Sequence, residues 1–403
     1  MNILFLNLLK FASFEEHNIY TDLLRQFIKD GHNMYAVCPS ERRNGEKTNL
    51  RQFGSSAILT VKTYNIQKTN ILEKGIGTLA IKGQFIRAIK KYFKGIKFDL
   101  ILYPTPPITL YGVVKYFKKR CNAKTYLMLK DIFPQNAVDI GLMKTTGVKG
   151  LIYKYFRKQE KKLYSVSDRI GCMSPANVEY VLKHNPEISK EKVEVFPNCI
   201  EVQNISLTDE EKKQIREKYN LPPDKKVFVY GGNLGKPQDI PFIIECLKAE
   251  KDNEKAFFLI IGDGTEFKKL ERYSIDSKQE NFKLLKRLPT DEFDKVLASC
   301  DIGLIFLDHR FTIPNFPSRL LSYMQAGLPV LACTDAVTDI GKTIVEGSFG
   351  WWCKSNNANS LKTTISEILN DSLDALNNKR LKASITLKDK FSVASYTTQV
   401  ISI

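Results

Sequence analysis

Histidine is scarce in this chain, with four residues in 403. Cysteine occurs eight times, at Cys38, Cys121, Cys172, Cys199, Cys246, Cys300, Cys333 and Cys353, but never as a C-x-x-C pair. Together these scarcities leave no zinc-ligand spacing. Most of the cysteines lie in or beside apolar runs, where a free thiol packs as a small hydrophobe, so a reducing, cytoplasmic compartment is expected. No uninterrupted apolar run reaches about 18 residues, which argues against a spanning helix. The opening, MNILFLNLLKFASFEEHN, lacks a basic n-region and a small-residue cleavage site. It reads as a first strand rather than a signal peptide. The turn after that strand has no G-x-G-x-x-G, which disfavours a dinucleotide-binding dehydrogenase.

The net charge of +17 is unevenly placed. Residues 1–200 hold 33 Lys+Arg against 16 Asp+Glu, whereas residues 201–403 hold 28 of each. A one-sided basic field suits an anionic partner: phospholipid, nucleic acid or a phosphorylated acceptor. A basic surface that merely keeps the chain soluble is the plainer reading.

Short apolar runs alternate with amphipathic stretches along the whole length. The first series is 2–7, 34–39, 99–105, 125–130, 168–174 and 192–198; the second is 226–232, 256–264, 282–287, 302–308 and 328–334. Between the first two runs, Leu23, Leu24, Phe27 and Ile28 keep helical spacing before Gly31. Strand, helix, strand in this rhythm predicts parallel sheets with right-handed crossovers. The expected fold class is therefore α/β, with two Rossmann-like doubly wound units facing a cleft. The domains expected are 1–200 and 201–403, with the C-terminal helix free to pack back on the first.

Three segments carry the chemistry. In VYGGNLGKPQ (229–238) a strand ends at Gly231 and Gly232, and Gly235 follows before a helix opens near Asp239. Such glycines let backbone N–H groups approach a phosphate, with Lys236 adding a cation; an ordinary glycine-rich turn is the alternative. The next strand ends in Gly262, Asp263 and Gly264, a turn that admits a base or ribose and is as often purely structural. In PNFPSRLLSYMQAG (314–327), Pro317 and Ser318 fit a helix start with Arg319 in the first turn. A cation there opposes the helix dipole, so an anionic ligand is the better reason for it.

On these residues the chain resembles the group-1 retaining glycosyltransferases of the GT-B fold. GGNLGKPQ, IIGDG, ASCDIGLIFLD and PNFPSRLLSYMQAGLPVLA are similar to that group's nucleotide-binding half. EEHNIYTDLLRQFIKDGH, KDIFPQNAVDIGL and SDRIGCMSPANVEYV with VFPNCIE are similar to its acceptor half. The likeness spans nearly the whole chain and is strongest to bacterial enzymes of surface-polysaccharide assembly, O-antigen fucosamine transferases among them. It implies a nucleotide-sugar donor held by Gly232, Asn233, Gly235, Lys236, Gln238, Pro317, Ser318, Arg319 and Ser322. The nucleoside would lie at Gly262, Asp263 and Gly264, with Arg287 beside the base. Two departures stand out: Pro314 and Ser322 occupy the positions of the family's two glutamates, and Asn233 stands where many relatives have Arg.

On the acceptor side the resemblance places Lys130 and Asp131 where the family often has a His-Asp pair, with Pro134 after them. Asp131 then orients or deprotonates an acceptor hydroxyl, or else caps the following turn. Glu15, Glu16, His17 and Asn18 form a polar loop expected to touch the acceptor. Retention of anomeric configuration, catalysis without a covalent enzyme intermediate and independence of metal are further implications. Lys236 and Arg319 would neutralise the departing diphosphate, and no D-x-D motif occurs.

Stretches 78–94, 111–120 and 149–164 interleave Lys and Arg with Phe, Tyr, Ile and Leu. They suit an anionic membrane interface, or else their apolar halves are core. The expectation is a transferase at the inner face of the plasma membrane, adding a hexose, N-acetylated or deoxy, from a UDP donor to a polyprenyl-diphosphate-linked saccharide. A nucleotide-sugar epimerase of the same architecture and a basic nucleic-acid-binding protein are the alternatives.

Overall fold

The computed structural model describes residues 1–66, 71–203 and 205–403. The chain divides into two compact units, Met1–Glu201 with Val393–Ile403, and Val202–Ser392.

The first unit is built on strands β1 (Asn2–Leu6), β2 (Asn33–Glu41), β3 (Asn49–Phe53), β4 (Ser56–Thr63), β5 (Leu100–Pro104), β6 (Lys124–Leu129), β7 (Arg169–Cys172) and β8 (Val193–Val195). They lie in the order β3-β4-β2-β1-β5-β6-β7-β8. All pairs are parallel except β3 with β4. That antiparallel edge hairpin departs from the purely parallel sheet expected. Its partly exposed sequence NLRQF has no alternation strong enough to mark it as a strand.

Helices α1 (Thr21–Lys29), α2 (Ile71–Tyr92), α3 (Tyr111–Cys121), α4 (Gln135–Asp139), α5 (Gly147–Val166) and α6 (Pro175–His184) cover the sheet. The central strands are sandwiched on both faces, so their runs are continuously apolar. Ile3, Leu4, Phe5 and Leu6 are all fully buried. Each such side chain contributes about 1.5–3 kcal/mol by leaving water.

The second unit holds α7 (Asp209–Lys218), β9 (Lys226–Asn233), α8 (Ile240–Ala249), β10 (Ala256–Asp263), α9 (Phe267–Ser277), β11 (Phe282–Leu285), α10 (Thr290–Ala298), β12 (Ile302–Phe306), α11 (Arg319–Gln325), β13 (Val330–Thr334), α12 (Ile340–Glu346), β14 (Gly350–Lys354), α13 (Ala358–Asn370) and α14 (Leu373–Lys390). The sheet is wholly parallel, in the order β11-β10-β9-β12-β13-β14. Counted from β9 this is 3-2-1-4-5-6, the doubly wound order whose direction reverses between the first and fourth strands. The terminal segment, with α15 (Thr397–Ile401), returns to the first unit, where Val393 and Val400 join the core around Phe5 and Phe27.

All eight cysteines are buried as free thiols. Among the described residues, no helix is long and apolar enough to cross a membrane.

Candidate active site

In the second unit the ends of β9 and β12 flank the switch point, where open α/β sheets take ligands. The loops leaving them are tied together by the Asp308 N–H donating to the Pro237 carbonyl at 3.0 Å. Gly232 has φ +131°, a backbone conformation that L side chains rarely adopt, and it is exposed. Leu234 is fully buried and anchors the loop; its N–H donates to the Asp263 carbonyl, and its carbonyl accepts from the Glu266 N–H, both at 2.9 Å.

Gly262 and Gly264 are needed here for close packing of backbone. A Cβ on Gly262 would lie 2.0 Å from the Gly232 oxygen, and one on Gly264 would lie 2.3 Å from the Leu234 oxygen. Packing alone therefore accounts for both glycines. Asp263 is exposed, and its Oδ1 accepts from the Gly264 N–H at 2.8 Å. Gly231 leaves room for the Phe293 ring, which a Cβ would meet at 2.3 Å.

Gln238 is buried, and its Oε1 accepts from the Gly235 N–H at 3.1 Å and from Asn233 Nδ2 at 3.2 Å. It braces the turn from within. Gly235 itself is extended, at φ −120°. Lys236 is exposed, and its ammonium makes no hydrogen bond or ion pair among the described residues.

Arg319 opens α11, and its guanidinium carbon sits 4.3 Å from the Tyr230 ring centre. A Cβ on Gly232 would lie 3.5 Å from that same carbon, so the arginine and the glycine turn are neighbours. Nη1 of Arg319 is buried with no hydrogen-bond partner among the described residues. A buried, unpaired guanidinium N–H is costly unless a ligand satisfies it. Beneath it the Tyr230 hydroxyl donates to the Asn233 carbonyl at 2.7 Å, and burial raises that phenol's pKa.

Two tyrosines hold this turn, and sequence reading missed both. Tyr323 is fully buried; its hydroxyl accepts from the Gly231 N–H and donates to the Leu304 carbonyl, each at 2.9 Å. It spans the switch point from β9 to β12. A polar tip amid the apolar spacing of LLSYM was the available signal. Pro317 and Ser318 precede α11, and the Ser318 side chain makes no capping bond. Ser322 is half-buried, three residues beyond Arg319, and Pro314 is buried. Arg287 is exposed beyond β11, on the edge strand.

Past β12, Asp308 is fully buried and receives three hydrogen bonds from the Arg310 side chain, which hold its pKa low. His309 Nδ1 lies 3.6 Å from carboxylate oxygens of both Asp239 and Asp308. The three ligand atoms are close enough together for a cation, although Arg310 already engages both oxygens of Asp308.

In the first unit, both Asp131 oxygens accept from Asn136 Nδ2 at 2.7 Å. Burial outweighs those bonds and pushes the Asp131 pKa up to about 6. The Lys130 ammonium donates to the Pro197 carbonyl at 3.0 Å and lies 4.8 Å from the Phe196 ring centre. Burial pushes its pKa down to about 8. Pro134 helps wall a cavity of about 90 Å³ with Tyr153, Arg157 and Tyr180.

The polar loop expected at the acceptor is largely occupied with its own structure. Glu16 Oε1 accepts from the N–H groups of Ala12 and Ser13. Asn18 Oδ1 accepts from those of Tyr20 and Thr21 at the start of α1. His17 Nδ1 stands 3.0 Å from Arg25 Nη2, in a network where Arg25 also bonds Asp22 and Glu201. Glu15 is exposed.

The three basic stretches divide. Ile81, Phe85 and Ile89 of α2 are core, as are Val113, Val114 and Phe117 of α3. Among the described residues of these three stretches, it is α5 that keeps several large apolar side chains in solvent.

Two tandem doubly wound α/β units, the second with a glycine turn and an arginine at its switch point, define the class as GT-B. Within that class the chain belongs to the group-1 glycosyltransferases. Residues 211–385 match the model "Glycosyl transferases group 1", and residues 18–204 match "Glycosyltransferase Family 4". WbjE of Pseudomonas aeruginosa, named as a glycosyltransferase, is 28% identical over 314 residues, covering 77% of this chain and 75% of that one. WcaI of Escherichia coli, named for colanic acid biosynthesis, is 21% identical over 295 residues, covering 72% and 71%. HepE of Anabaena in complex with UDP shares the fold, with a TM-score of 0.68 over 99% of this chain and 98% of that one at 14% identity.

Proposed function

We propose that the chain transfers a hexosyl unit, N-acetylated or deoxy, from a UDP-sugar to a polyprenyl-diphosphate-linked saccharide, with retention of configuration, in surface-polysaccharide assembly. The observation that carries the donor half is the orphaned Nη1 of Arg319 beside the exposed Gly232 turn. A diphosphate would supply the missing acceptor, and the guanidinium fork suits its paired oxygens. UDP as the nucleotide is supported by the complex with HepE, and polysaccharide assembly by the name of WcaI.

Leaving-group departure places negative charge on the diphosphate. Arg319 and the unpaired Lys236 meet that charge as fixed cations, in a step that requires no metal. In the acceptor unit, the ionised Asp131 carboxylate takes a hydrogen bond from an acceptor hydroxyl, held in orientation by Asn136. The basic first unit works at the cytoplasmic face of the membrane, where the lipid-linked acceptor resides.

The direct test incubates the protein with labelled UDP-sugars and synthetic polyprenyl-diphosphate saccharides, reading product mass and anomeric configuration by NMR. An α-configured donor giving an α-linked product supports the reading. Hydrolysis or epimerisation of the donor without transfer, or an inverted product, refutes it.

A further inference from the structure

The first two turns of α5 present their apolar side chains to water. Val148, Leu151, Ile152 and Tyr155 recur at i, i+3, i+4 and i+7, the spacing of one helical face. Their exposures are 84%, 66%, 52% and 42%. Leu142, in the connection from α4, is 59% exposed and extends the group. Packing uses the other face, where Gly150, Glu160, Leu163 and Tyr164 are buried. The apolar stripe is therefore left largely in solvent. Exposed apolar groups clustered this tightly mark a contact surface.

The polar neighbours indicate what it meets. Lys144, Lys154 and Lys158 are exposed and unpaired among the described residues. Farther along, Lys161 engages Glu187. Short apolar side chains flanked by free ammonium groups match an anionic bilayer, in which the stripe enters the acyl boundary and lysines remain at the phosphates. A protein partner's dry interface would leave those ammoniums to be desolvated or paired.

We infer that the start of α5, from Leu142 to Tyr155, is the element by which the first unit inserts into an anionic membrane. This rests on the membrane reading above and goes further: Ile81, Phe85 and Ile89 of α2 and Val113, Val114 and Phe117 of α3 are spent on the core, whereas the α5 stripe is in solvent, so α5 supplies the insertion. Its stripe from Val148 to Tyr155 is about 10 Å long at 1.5 Å per residue, which suits a shallow interfacial anchor.

The test uses the full chain and vesicles of phosphatidylcholine with or without phosphatidylglycerol. Leu151→Glu with Ile152→Glu should weaken partition onto the anionic vesicles by about tenfold or more. Its melting temperature should stay within a degree or two of the parent, because both side chains are exposed. Val148→Trp should gain quenching by brominated lipid over the parent's own Trp351 and Trp352. Undiminished binding of the double variant, released by salt, would overturn insertion at α5 while leaving electrostatic attachment standing. A parent that ignores anionic vesicles would overturn the membrane reading as well. A parent dimer in sedimentation velocity that the double variant dissolves would reassign the stripe to an interface between copies and overturn the proposal.

Discussion

The guanidinium carbon of Arg319 stands 4.3 Å from the ring centre of Tyr230, whose hydroxyl in turn holds the Asn233 carbonyl. One aromatic side chain thus supports both the cation and the glycine turn beside it. Arg319→Ala removes the cation and its contact with the Tyr230 side chain, while Nη1 has no partner among the described residues to lose. It should lower transfer by about 10²-fold or more, as for loss of one preorganised charge-stabilising group, and change the melting temperature little. Arg319→Lys should recover only part of the activity, because an ammonium neither stacks as a plane nor binds bidentately. Steady-state rates with matched melting curves check both; full turnover in Arg319→Ala would contradict the assignment.

Tyr323→Phe deletes the hydroxyl linking the Gly231 N–H and the Leu304 carbonyl, taking a buried hydrogen-bond partner from each. The cost should be about 1–3 kcal/mol, measured by denaturant unfolding. Because the loosened strand end carries the glycine turn, nucleotide affinity should also weaken in calorimetry.

Gly262→Ala tests whether the GDG turn is packing or ligand contact. The new Cβ would lie 2.0 Å from the Gly232 oxygen, so β9 and β10 must separate at their carboxyl ends. Stability should fall by about 1–3 kcal/mol or more, as for other overpacking changes. A variant of parental stability that fails only to bind nucleotide would give the glycine a ligand role instead.

Asp131 gives a pH signature. Its pKa is raised by burial, to about 6, so between the unfolded value near 4 and about 6 the folded state binds more protons than the unfolded one. Stability should therefore fall as pH rises through that window and level off above it. Transfer should run the other way, rising with ionisation of the carboxylate. Asp131→Asn should remove the acid limb of the pH–rate profile together with that part of the stability slope. An unchanged acid limb in this variant would assign it to another group.

Much of this was legible in the residues, because α/β rhythm and glycine turns are local signals. The apolar runs mark the parallel strands, and the helical spacing of Leu23, Leu24, Phe27 and Ile28 before Gly31 is realised as a helix at Thr21–Lys29. What local pattern does not encode is which face of an element meets its neighbours. The stretches in α2, α3 and α5 look alike as basic amphipathic sequence, yet Phe85 and Phe117 are core and Leu151 lies in solvent. For the same reason Glu16 and Asn18 read as free polar groups although they cap their own loop. Tyr230 and Tyr323 were not singled out in the sequence because what makes them site residues is distant in the chain: Arg319 over the Tyr230 ring, and Gly231 and Leu304 on the Tyr323 hydroxyl.

The central claim is a nucleoside diphosphate site at the Gly232–Arg319 turn, and thermal unfolding with UDP, GDP, dTDP, CDP and NAD tests it most directly. A ligand at about 100 times its dissociation constant adds about 2.7 kcal/mol, enough to raise the transition by roughly a few degrees in a chain of this size. The account predicts such a rise with UDP, abolished in Arg319→Ala. No rise with any nucleoside diphosphate, or a rise with UDP that persists in Arg319→Ala, would contradict it.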